Sequence, residues 1–134
     1  MDELKVSFFL IADYAFAGES GKLGIIGIFD ILGTTDFPRQ HPIMYVVVNF
    51  KGIPSSTHEV EFQIISPSGK ELLLPKPPKL KFTLSAAGSG NVIQSLLGVE
   101  FQEPGVHKIN LMIHDQKIAE TNLSVVKSII VKNG

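Results

Sequence analysis

The stretch HKINLMIHDQKIAETNLSVV, residues 107–126, decides the fold. His107, Ile109, Leu111 and Ile113 alternate with polar positions, and so do Ala119, Leu123 and Val125 further on, a period of two that belongs to a strand with one buried face. For both apolar sets to face the same core, residue numbers that pair across the hairpin must add to an even value. That requirement asks for an odd-length loop around Asp115-Gln116-Lys117, with Gln116 or Lys117 in the left-handed conformation. His107 shares a face with Ile109 and Leu111, and is expected to end the core with a hydrogen bond.

Working outward, the same reading recovers a series of strands and turns. Leu97, Val99 and Phe101 fall on one parity of a strand from Val92 to Phe101, which Glu103-Pro104-Gly105 turns back. Val60, Phe62 and Ile64 alternate with Glu59, Glu61 and Gln63 in a strand with one wet face. Pro67-Ser68-Gly69-Lys70 follows as a reversing turn and Glu71 to Leu74 as its return. Pro75-Lys76-Pro77-Pro78-Lys79 cannot donate a regular ladder, so the strand from Leu80 that follows it sits at an edge. Four lysines between 70 and 81 against one acid guard that edge against unwanted pairing.

The N-terminal half is apolar on both parities. Lys5 to Tyr14 and Leu23 to Thr34 read as a hairpin around Gly18 and Gly21, with Lys5 near Asp30 and Asp13 near Lys22. Ile43 to Phe50, with its Val46-Val47-Val48 core, reads as a central strand after a turn that Pro38 and Pro42 bracket. A two-layer sandwich buries one face of each sheet, so these three strands leave apolar surface that something else must cover. A second copy of the chain is the expected cover, with the chain's own loops and tail or another protein as the alternatives. It would be held through the apolar sheet face and through Ile129-Ile130-Val131, which is apolar enough to add as a strand.

Composition agrees and excludes much. Fifteen Ile and eleven Val against six Ala favour pleated structure over helix, and twelve Gly and eight Pro punctuate 134 residues at short intervals. A net charge of −1 with a single arginine, Arg39, argues against nucleic acid as a partner. The absence of cysteine removes disulfides, thiolate metal sites and thiol nucleophiles together. Ala15-Phe16-Ala17 imitates a signal-peptidase site, but Asp2 and Glu3 outweigh Lys5 where a leader wants positive charge. No apolar run approaches the roughly 20 residues that span a bilayer. A cytoplasmic protein with no membrane contact is expected.

Candidate chemistry is sparse. Ala17-Gly18-Glu19-Ser20-Gly21-Lys22 has a phosphate-loop look, but Phe16 stands where the motif needs glycine, Leu23 where it needs a hydroxyl, and a glycine- and isoleucine-rich strand where it needs a helix. His41, His58, His107 and His114 have no ligand-like spacing, so no metal and no cofactor is expected. Gly88-Ser89-Gly90 lacks the setting of a nucleophile turn. What remains is a possible gathering of Asp13, Asp30, Asp36 and His41 near the N-terminal hairpin, able to bind a small ligand or hydrolyse one.

Ile11-Ala12-Asp13-Tyr14-Ala15, Gly21-Lys22-Leu23-Gly24-Ile25-Ile26-Gly27-Ile28-Phe29-Asp30, Phe37-Pro38 with His41-Pro42, Ser66-Pro67-Ser68-Gly69 and the closing 101–125 together resemble an uncharacterised family of short prokaryotic β proteins. The closing pattern is similar to immunoglobulin-like bacterial domains. The resemblance implies architecture and no activity. Relatives tend to show Asp-Gly in the last hairpin, where this chain has Asp115-Gln116. The expectation is therefore all-β: one antiparallel two-sheet immunoglobulin-like sandwich of roughly eight strands over residues 1–126, a tail over 127–134, and a non-enzymatic, self-associating role.

Overall fold

The computed structural model describes residues 4–128. They form nine strands in two sheets: β1 (Lys5–Ala17), β2 (Leu23–Ile28), β3 (Ile31–Thr34), β4 (Arg39–Lys51), β5 (Thr57–Ile65), β6 (Leu80–Thr83), β7 (Ser89–Phe101), β8 (Gly105–Ile113) and β9 (Gln116–Lys127). One sheet has the order β2-β1-β4-β7 and the other β3-β9-β8-β5-β6. Among the described residues there is no α-helix, only a 3-10 turn at Glu19–Gly21 between β1 and β2. The all-β reading holds. The segment Ile129-Ile130-Val131 lies outside the described residues; β9 itself runs to Lys127, and Ser128 N–H donates to Thr34 O at 2.7 Å.

The core lies between the sheets. From one come Ile11, Met44, Val46, Val48, Phe50, Val92 and Phe101, from the other Val60, Phe62, Ile64, Ile109, Leu111, Leu123 and Val125. Their spacing of two is why strands form here: each places a branched or aromatic side chain inward at every second residue and leaves the alternate ones outside. β4 is the central strand its valines suggested, paired to β1 on one side and β7 on the other.

Several expectations need correction. The stretch Leu23 to Thr34 is two strands. It breaks at Phe29-Asp30, and β3 crosses to the other sheet, where it pairs parallel to β9. The fold is thus not wholly antiparallel and has one strand more than roughly eight. Because this stretch is apolar on both parities, alternation could not show which residues belonged to which sheet.

The register of the first hairpin also differs. Ala12 pairs with Ile28, Tyr14 with Ile26 and Ala17 with Leu23, which sets Asp13 opposite Gly27; Lys5 faces Lys51 on β4. The cross-strand pairs Lys5–Asp30 and Asp13–Lys22 are absent, and the ion pair found among the described residues is Lys117–Glu120 at 2.7 Å. Gly27 has φ +72°, and a Cβ there would run into the Asp13 carboxylate, so the register needs a glycine at that position.

Arg39 to Pro42 is strand and not turn, pairing Arg39 with Phe101 and His41 with Val99. Opposite it, Gly98 has φ +61° and interrupts the alternation of β7. Val99 and Phe101 are buried in consequence while Leu97 is 71% exposed, so the three do not share a face.

In the last hairpin the even sum is kept by another device. Leu111 pairs with Ala119 and Ile109 with Thr121, as the core requires, but Ile113 pairs with Gln116 across a two-residue turn. A register shift between Leu111 and Met112 corrects the parity, and His114 (φ 51°) and Asp115 (φ 61°) are the left-handed residues in place of Gln116 or Lys117. His107 does close the core: it is fully buried, its Nδ1–H donates to Gly105 O at 3.0 Å, and its ring meets Phe101 edge-on at 5.1 Å.

Candidate functional site

His41 and Asp13 come together where β1 leaves β4. The paired register of those two strands ends at Ala12 and Tyr45, and beyond it β1 continues with β2 alone. The gap holds the half-buried His41 ring, 6.4 Å from that of Phe29. Burial pushes the His41 pKa below the ordinary imidazole value, while the Asp13 carboxylate and the Ile43 backbone pull the other way and Arg39 adds to the lowering. Beside it is a cavity of about 230 Å³ floored by Leu32, Phe101 and Val125 and rimmed by Thr34, Arg39 and His41.

The other two acids are elsewhere. Asp30, on the connection from β2 to β3, lines a separate groove of about 370 Å³ with Phe9, Ile28 and Thr121, and its backbone O accepts from Ser124 N–H at 2.9 Å. Asp36 is exposed on the loop before β4, where its backbone O accepts from Thr34 Oγ1 at 3.1 Å. One acid and the histidine are therefore brought together, and two acids are not. Arg39, the chain's one arginine, joins His41 at the cavity rim, a place hidden by Pro38 and Pro42, whose bracketing read as a turn.

A larger groove of about 410 Å³ crosses β5, β6 and β8 and is lined by His58, Glu59, Glu61, Lys79, Lys81 and His114. Glu59 lies directly opposite Lys81 in the ladder, so the lysines meet acids and the groove is of mixed sign. Among the described residues no three His, Asp or Glu side chains gather as a metal ion would require. No helix there is long and apolar enough to cross a membrane.

The outer face of the β2-β1-β4-β7 sheet is the most extensive feature. Register places Phe8, Leu10, Ala12, Tyr14 and Phe16 of β1 on the same side as Ile43, Tyr45 and Val47 of β4, Ile26 and Ile28 of β2, and Ile93 and Leu97 of β7. Ile28 is 62% exposed and Ile26 58%. Tyr14 meets Tyr45 edge-on at 5.3 Å and lies 5.7 Å from Phe16, whose ring covers the bare backbone of Gly24. Charge enters this face at its ends: Lys5 and Lys51 face each other at one, and at the other Glu100, between the buried Val99 and Phe101, points outward opposite Gln40.

The model of a family of unknown function, DUF6941, matches residues 7–126. The chain belongs to that family. Curated proteins offer no match in sequence to this DUF6941 member. Among solved structures it is similar to a β-glucosidase from Listeria innocua in complex with isofagomine, at 14% identity and a TM-score of 0.56 over 97% of this chain and 17% of that one. It is also similar to the Pseudomonas fluorescens alkylpurine DNA glycosylase AlkC, at 9% identity and TM-score 0.55 over 92% of this chain and 30% of that one. A third is the β-glucosidase EmGH1 from Erythrobacter marinus, at 15% identity and TM-score 0.57 over 93% and 16%. The chain thus spans less than a third of each of these neighbours, and identities this low show the fold alone.

Proposed function

We propose that this DUF6941 protein is a non-enzymatic, immunoglobulin-like β-sandwich interaction module that associates with itself through the outer face of the β2-β1-β4-β7 sheet. The observation that carries the reading is the run of exposed Tyr14, Phe16, Ile26, Ile28 and Leu97 around a charge-free centre. Four strands about 4.8 Å apart, six residues long at about 3.4 Å each, mark out roughly 400 Å² of projected sheet. That equals the largest apolar patches that soluble monomers carry, which are often functional. Such a face is compatible with its own copy, because two apolar surfaces related by a two-fold axis bring no like charges together at the centre. That the same architecture recurs as a minor part of larger chains fits a module that packs against other protein surfaces. An acid-based hydrolytic role has less support, since Asp30 and Asp36 lie apart from the Asp13–His41 pair.

Light scattering on the full chain and on an Ile28→Lys/Leu97→Lys double variant tests this. The wild type is expected at a multiple of 14.6 kDa and the variant at a lower multiple with an unchanged melting temperature. A wild type that stays at the single-chain mass at about 50 μM, well above the micromolar range of ordinary specific interfaces, refutes it. So does a variant that keeps the full mass.

A further inference from the structure

We infer that the cavity between β3 and the start of β4 binds a small amphipathic monocarboxylate, its carboxylate held by the Arg39 guanidinium and the Gly33 N–H and its apolar body lying on Phe101 and Val125. In the ladder of β4 with β7, Arg39 lies directly opposite Phe101 and His41 directly opposite Val99. Side chains so paired project to the same side of a sheet. Phe101 and Val99 belong to the core, so Arg39 and His41 are carried on the core side of theirs. A guanidinium thus stands where a sandwich ordinarily closes with an apolar residue. Arg39 is exposed while Phe101 is fully buried, which sets charge at the mouth of the cavity and apolar surface at its bottom. The cavity lies apart from the outer face proposed above for association, so the two readings stand or fall separately.

Two donors at this place have no acceptor. Among the described residues Arg39 makes no ion pair, and its side chain makes no hydrogen bond. Gly33 N–H is the other. β3 is the edge of its sheet and pairs with β9 alone. Asp30 O accepts from Ser124 N–H and Thr34 O from Ser128 N–H, so the even-numbered residues of β3 turn their main-chain groups toward β9. Gly33, of odd parity, turns its N–H off the open edge, and it lines the cavity. Thr34 is not a third donor, because its hydroxyl donates to Asp36 O at 3.1 Å.

The charge and size of the cavity select the ligand. Burial holds the His41 pKa below the ordinary imidazole value, so at pH 7.5 the ring is uncharged. Asp13 acts on His41 but does not line the cavity, and no other acid does, which leaves Arg39 as the one charge on its wall. A single cation calls for a monoanion. The planar guanidinium fork offers two N–H donors to the two oxygens of a carboxylate, whereas a phosphate dianion would bring a second charge with no partner. Leu32, Pro42, Phe101 and Val125 present no polar side-chain atom, so the rest of the ligand must be apolar. Water occupies about 30 Å³ a molecule in the liquid, so a cavity of about 230 Å³ holds roughly eight, the room that benzoate or hexanoate needs.

Amide chemical shifts of the full chain, titrated with sodium benzoate at pH 7.5, test this. Saturable shifts are expected at Leu32, Gly33, Arg39, His41 and Phe101, with a midpoint in the millimolar range open to so small a ligand. Benzyl alcohol, of the same shape without the charge, is expected to bind about tenfold more weakly or worse. Inorganic phosphate is expected to leave these amides unmoved. Arg39→Gln should bring benzoate down to the level of benzyl alcohol, and Arg39→Lys, which keeps the charge and loses the fork, should fall between. The comparison of benzoate with benzyl alcohol and phosphate uses the wild type and decides the matter even should a variant fail to fold. The proposal is overturned if benzoate at about 20 mM, well above such a midpoint, moves none of these amides. It is overturned equally if benzyl alcohol or phosphate moves them as far as benzoate does, or if Arg39→Gln binds benzoate as the wild type does.

Discussion

Acid should weaken this fold through His107, and the effect can be worked out from its surroundings. The ring is fully buried, Nδ1–H donates to Gly105 O, Nε2 has no partner, and Phe101 packs edge-on against it. Burial lowers its pKa below 6.5, outweighing the opposite pulls of the Gly105 bond and Glu103. The unfolded chain therefore binds a proton that the folded chain refuses. Stability due to this group is complete above the unfolded value, about 6.5, and falls as pH drops below it toward the folded value. Linkage limits the slope to about 1.4 kcal/mol per pH unit for one such histidine. His41 is lowered in the same direction and adds to the slope, less fully because it is half-buried. The assay is urea unfolding followed by circular dichroism at pH 7.5, 6.5 and 5.5, on the wild type and on His107→Gln, which keeps a donor for Gly105 O and cannot titrate. The variant is expected to lose stability at pH 7.5 but to show a clearly shallower fall between pH 6.5 and 5.5. Parallel wild-type and variant curves would refute the reasoning, since the burial of a neutral imidazole would then have no part in the acid response.

Two further outcomes test the local geometry. Gly27→Ala should destabilise by about 1–3 kcal/mol, from its positive φ and from the collision with Asp13. Adding Asp13→Ala should return the steric share and leave the backbone cost of about 1 kcal/mol; equal stability of Gly27→Ala and wild type in urea would contradict the register. In the last hairpin Asp115→Gly should stabilise by about 0.5–1 kcal/mol, because Asp115 already holds φ 61°, while Gln116→Gly should destabilise by weakening the start of β9. The reverse order in thermal melts would return the left-handed position to Gln116.

Alternation made the C-terminal half legible because each strand there has one wet face. Val60, Phe62 and Ile64 against Glu59, Glu61 and Gln63 admit a single orientation, and so do Ile109 and Leu111 against Lys108 and Asn110. The even-sum requirement survived even though the turn was misplaced, because the core constrains parity and not the means of meeting it. A two-residue turn with a bulge satisfies it as well as an odd loop. In the N-terminal half the information was missing for the same reason in reverse. Ile25, Ile26, Ile28 and Ile31 fit either side of either sheet, so neither the break at Phe29-Asp30 nor the crossing of β3 left a mark on the pattern.

The site follows from that crossing. When β3 leaves the first sheet, β1 also parts from β4 beyond Ala12, and the gap between them exposes His41 to Asp13 and opens the Arg39-rimmed cavity. No local motif announces such a place, because it is made by two strands that stop pairing and not by residues at a fixed spacing. The outer face of the sheet is different: its excess of apolar residues was visible as strands lacking a wet parity. Val47 shows why it coheres as a surface. No second layer covers it, yet it is fully buried, since Leu10 and Ile93 flank it in register and close over it. A side chain sealed by its own neighbours means that the centre of the face is already packed, whether or not the proposed second copy docks on it. Binding there would order few side chains, which lowers the entropic cost that association must overcome.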